Sequence, residues 1–106
     1  MKTIKLKFEY HCFPIWIYDE NGHFVDNNLP IELSGDKDIE AACREAQLIY
    51  DNLFVDDGTV FEYTGFKDNH ELTTFQTLVD YITDYLRRKI STLYIVESAY
   101  ADKVGV

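Results

Sequence analysis

The chain is poor in positive charge. Ten Lys and Arg stand against 19 Asp and Glu, leaving a formal net charge of −9. Binding a phosphate backbone needs a basic footprint, so this balance weighs against a direct nucleic-acid role and against an anionic membrane surface. Cysteine is also scarce. Cys12 and Cys43 fall in different expected elements and make no disulfide framework, so buried free thiols in a reducing cytosol are expected. Paired CxxC motifs, a His-Glu-x-x-His spacing, a regular calcium loop and phosphate-binding glycine loops are all missing, and no metal or cofactor is expected. No apolar run approaches the roughly 20 residues of a membrane span. Lys2, Lys5, Lys7 and Glu9 interrupt any signal-peptide core near the start, which points to the cytoplasm.

What the chain does have is apolar and aromatic mass. Of its 106 residues 46% are hydrophobic and 15% aromatic, too much for a disordered acidic chain and enough for one compact domain over 1–106. Residues 98–106 read as a frayed tail. The negative charge is concentrated: fourteen of the carboxylates lie between Asp19 and Glu71, offset only by Lys37, Arg44 and Lys67.

Hydrophobic periodicity outlines an α+β fold. Residues 3–11 alternate, with Ile4, Leu6, Phe8 and Tyr10 on one face and Lys5, Lys7, Glu9 and His11 on the other, as in a strand with one buried side. Residues 13–18 repeat the pattern with bulk on both faces, and Pro14 suits a bulge, a strand start or an edge. Asn21-Gly22 predicts a two-residue hairpin turn with a short returning strand from His23 to Asp26. After a loop, Ile39, Ala42, Cys43, Ala46, Ile49, Tyr50 and Leu53 recur at helical spacing over 36–53, capped by Ser34 or Asp36. Asp56-Asp57-Gly58 is a turn and 59–64 a strand. A second helix starts near Asp68 or Asn69, carries a stripe from Leu72 to Ile90, and ends on Arg87-Arg88-Lys89, which suits the helix dipole better than a nucleic-acid site. Residues 93–97 read as a last strand. The expected architecture is an antiparallel or mixed sheet with an N-terminal β-hairpin packed against two helices.

Catalytic chemistry finds little support. Adjacent residues on a strand face opposite ways, which separates His11 from Cys12, and Cys43 sits on an apolar stripe; a thiol enzyme would need His23 or His70 nearby. Asp56 and Asp57 read more simply as a solvated turn than as metal ligands. Protein binding is the better reading, and no enzymatic role is expected. Trp16, Tyr18, Asp19, Glu20, Asp26, Asp56, Asp57 and Glu62 are the candidate surface, with Phe24, Tyr50 and Tyr63 as further aromatic anchors. The plain alternative is that the aromatics are core and the acids maintain solubility.

The short acidic domain, its opening Lys5-Leu6-Lys7-Phe8-Glu9-Tyr10 strand, the run from Trp16 to Gly22 and the acidic helical region after it resemble the small immunity proteins of bacterial polymorphic or contact-delivered toxin systems. Immunity families differ in fold, so the resemblance implies a function and not a topology. It implies stoichiometric binding and neutralisation of a basic cognate toxin, with a nuclease as the natural class. The competing expectation is a small dimeric structural or regulatory interaction module.

Overall fold

The computed structural model describes residues 1–99. Its main sheet is mixed and four-stranded. Strand β1 (Lys2–Leu6) pairs antiparallel with β2 (Ile15–Tyr18), β2 pairs antiparallel with β3 (Phe24–Asp26), and the last strand, β6 (Tyr94–Ser98), lies parallel to β1 on its other side, giving the order β3-β2-β1-β6. Helices α1 (Lys37–Asp51) and α2 (Asn69–Ile90) pack on each other and against the sheet. Between them, β4 (Phe54–Asp56) and β5 (Phe61–Tyr63) form a separate antiparallel hairpin. The α+β class with an N-terminal hairpin is as the periodicity predicts.

The alternation of β1 and β2 buries Ile4, Leu6, Ile15 and Ile17 against Ile39, Cys43 and Ala46 of α1 and Phe75, Val79, Ile82, Leu86 and Ile90 of α2. Each such fully buried aliphatic side chain contributes about 1.5–3 kcal/mol of transfer free energy. Asp36 caps α1, accepting the N–H groups of Asp38 and Ile39, and Asp68 caps α2, accepting the Glu71 N–H at 2.8 Å. Glu71 reaches back to the Lys67 N–H at 3.1 Å, satisfying a second donor at the entrance to the helix.

Three local expectations change. The first strand stops at Leu6, and residues 9–12 instead form a turn closed by the Cys12 N–H on the Glu9 carbonyl at 3.1 Å. Asn21-Gly22 does not make a two-residue turn. Asp19 and His23 close a three-residue loop, with the Asp19 N–H on the His23 carbonyl at 2.9 Å and the Gly22 N–H on the Asp19 carbonyl at 3.0 Å. Only Gly22 in that loop has positive φ, at 84°, because the Asp19 carboxylate gathers the N–H groups of Asn21 and His23 and favours the longer loop. Finally, α1 ends at Asp51. The Leu53 carbonyl leaves the helix pattern and accepts the N–H groups of Thr64 and Gly65 and the Thr64 hydroxyl, fastening the base of the β4–β5 hairpin. Of the stretch read as a tail, Ser98 is buried in β6 and the Ala99 N–H donates to the Leu6 carbonyl at 3.1 Å; 100–106 lie outside the described residues.

Candidate protein-binding surface

The eight residues singled out by sequence fall into two groups, set by the direction of β1. Tyr18 pairs with Thr3 near the start of β1, and the Asp19–His23 loop extends beyond that end. The β4–β5 hairpin meets the chain past the other end, where the Tyr10 ring packs on Phe54 at 5.4 Å and Phe61 at 4.8 Å.

The first group includes the outward face of the main sheet. Trp16 and Tyr18 alternate with buried Ile15 and Ile17, so both project away from the helices. The indole N–H of Trp16 donates to the Lys7 carbonyl at 3.0 Å, and Phe24 lies 5.9 Å from the Trp16 ring and 6.1 Å from Tyr18. The lysines of β1 and its extension cover these rings. Lys5 Nζ is 4.7 Å from the Tyr18 centroid and Lys7 Nζ 4.8 Å from Trp16, contacts worth about 0.5–1 kcal/mol each at exposed sites. The rings of Trp16 and Tyr18 are thus each covered by a lysine. The carboxylates nearby build structure. Asp19 is held below the ordinary carboxylate range, chiefly by the His23 N–H; Asp26 accepts the Asn27 N–H at 2.8 Å; Glu20 is exposed at the loop tip.

The second group is where acid and aromatic surface coincide. In β4–β5, Val55 faces Glu62 and Asp56 faces Phe61 across the ladder. Asp57 turns the hairpin by accepting the Thr59 and Val60 N–H groups and the Thr59 hydroxyl at 2.8–3.0 Å; these bonds, that from Val60 foremost, hold its carboxyl below the usual range. Asp56 accepts the Gly58 N–H at 3.1 Å. A run of rings supports the strands: Phe8 on Tyr50, Tyr50 on Phe54, and Phe54 stacked on Phe61 at 5.1 Å and 7°, with Tyr63 5.3 Å from Phe54. The outer members are wet. Phe61 is 55% exposed and Tyr63 60%, and Val55 and Val60 are about half exposed.

Sequence reasoning missed Tyr10, Phe54 and Phe61 as parts of this surface. Its signal was the pairing of Phe54-Val55 with Phe61-Glu62-Tyr63 around Asp56-Asp57-Gly58, which is a hairpin pattern. Of the thiols, Cys43 is buried and its pKa pushed up to about 12 by desolvation, against thiolate chemistry at neutral pH. Cys12 donates to the Tyr10 carbonyl at 3.6 Å, and His23 faces Asp19 at 3.6 Å. Among the described residues no group of three His, Cys, Asp or Glu side chains is arranged to hold a metal ion, and no helix is long and apolar enough to cross a membrane. The chain matches no family model and no curated protein sequence.

Proposed function

We propose that the protein binds and neutralises a basic cognate toxin, of which a nuclease is the natural class, one to one and in the cytoplasm. The observation that carries this reading is the β4–β5 hairpin, where Phe61 and Tyr63 are more than half exposed beside Asp56, Asp57 and Glu62. Clustered exposed aromatics mark interaction sites, tyrosine is favoured at the energetic centre of an interface, and carboxylates around it favour encounter with a basic surface. Fourteen carboxylates lie between Asp19 and Glu71 against Lys37, Arg44 and Lys67, a net negative charge that favours encounter with a basic surface. Trp16, Tyr18, Asp19, Glu20 and Asp26 belong to a second contact region in this reading, with Lys5 and Lys7 included.

Affinity capture from the native host tests it. The expected result is one basic protein, retained in equimolar amount, released by salt and inhibited in its own activity when bound. Recovery of a tight homodimer with no basic partner would overturn the reading in favour of a self-associating module.

A further inference from the structure

A sheet laid against the body of a protein buries every second residue. The β4–β5 hairpin does not. All ten residues from Val55 to Thr64 are exposed, on both faces of both strands. Cross-strand register sorts those faces. Phe54 pairs with Tyr63 and Asp56 with Phe61 on one face, and Val55 pairs with Glu62 on the other. Phe54 alone of the two strands is half-buried, against Tyr10 and Tyr50. Otherwise β4 and β5 pack chiefly on each other. The hairpin therefore projects from the domain, fastened at its base by the Leu53 carbonyl and at Phe54.

Both faces are apolar as well as wet. Phe61 and Tyr63 are more than half exposed on one, and Val55 is about half exposed on the other. The tip is tied down, with Gly58 at a positive φ of 89° and the Asp57 carboxylate holding the Thr59 and Val60 N–H groups and the Thr59 hydroxyl. A finger that is already ordered loses little conformational freedom on being enclosed. Its charge is of one sign. Between Arg44 and Lys67 the sequence has no Lys, Arg or His, and its carboxylates are Glu45, Asp51, Asp56, Asp57 and Glu62. A flat partner covers one face of the hairpin and leaves the apolar side chains of the other in water. A groove covers both, and interface energy concentrates in desolvated pockets.

We propose that the β4–β5 hairpin inserts into a groove of the basic partner, with Phe61 and Tyr63 against one wall, Val55 against the other, and Asp56, Asp57 and Glu62 meeting lysine or arginine side chains. The proposal rests on the reading that a basic protein is bound, and adds the shape of the surface that receives the hairpin.

The test uses the basic protein retained by capture, purified, and the full chain. Val55→Ser and Tyr63→Ser change opposite faces of the hairpin. By calorimetry each should weaken binding about tenfold. Hydroxyl-radical footprinting of the native complex, which needs no substitution, should show Val55 and Tyr63 protected together. Full affinity for either variant, or protection of one face only, would overturn insertion and leave the binding of a basic protein in place. If no basic protein is retained, both readings fall.

Discussion

His11 holds φ at 57°, in the left-handed region, at the third position of the turn closed between Glu9 and Cys12. The left-handed region costs a non-glycine residue roughly 1–2 kcal/mol, and a β-branched side chain fits there worst. The Asp51 carboxylate on its N–H and the Tyr10 ring on its imidazole offset that cost. His11→Val should therefore destabilise the fold by about 1–2 kcal/mol in urea unfolding, while His11→Gly, which loses the ring contact but relieves the backbone, should fall well short of that. A second residue-scale prediction concerns Tyr85, whose hydroxyl donates to Asp36. That bond, the largest cause in both cases, lowers the Asp36 carboxyl and pushes Tyr85 up to about 12. A lowered acid contributes stability that is present above pH 4 and lost as pH falls through the folded value. A raised phenol contributes stability that is present below pH 10 and lost between 10 and 12. Tyr85→Phe should flatten the pH dependence of unfolding at both ends. Some alkaline loss should persist, because burial and Glu32 push Tyr94 up to about 12 as well.

Among the elements, the β4–β5 hairpin has the least backbone to hold it: three residues per strand, and two-stranded sheets are marginal alone in water. Its order comes from Phe54, which touches Tyr10, Tyr50, Phe61 and Tyr63, and from the Leu53 carbonyl at its base. Phe54→Ala should release the hairpin as a unit, costing about 2–3 kcal/mol. Hydrogen exchange would show amides of 55–63 losing protection while those of 79–86 in α2 keep theirs. The same comparison explains what the sequence made legible. The stripe of α2 runs unbroken from Leu72 to Ile90 between an acidic cap and a basic end, so its boundaries could be read directly. Strand β4 could not, because Leu53 and Phe54 follow Ile49 and Tyr50 at spacings that continue a helix, and the donor that takes the Leu53 carbonyl is eleven residues away at Thr64. The turn at 9–12 was hidden for a similar reason: its alternation is that of a strand, but the ladder stops where Pro14, next in register, accepts the Lys7 N–H and has no N–H to return.

For the whole molecule, the fold decides which charges meet which rings. The sequence shows how many carboxylates lie between Asp19 and Glu71, but only the fold sets Trp16 and Tyr18 beneath Lys5 and Lys7 while Asp56, Asp57 and Glu62 frame the aromatic hairpin at the other end of β1. Strand pairing between distant segments decides that arrangement, and periodicity along one segment does not carry it. The most direct measurement is the association rate of the captured basic partner, followed across salt concentration for the native protein and for the triple change Asp56→Lys, Asp57→Lys and Glu62→Lys. Steering by an acidic hairpin predicts a native rate that falls steeply with salt and a variant rate at least about tenfold slower at low salt, the two converging as salt rises. Equal rates for the two proteins at low salt, with the variant still folded by circular dichroism, would contradict the hairpin as the docking surface.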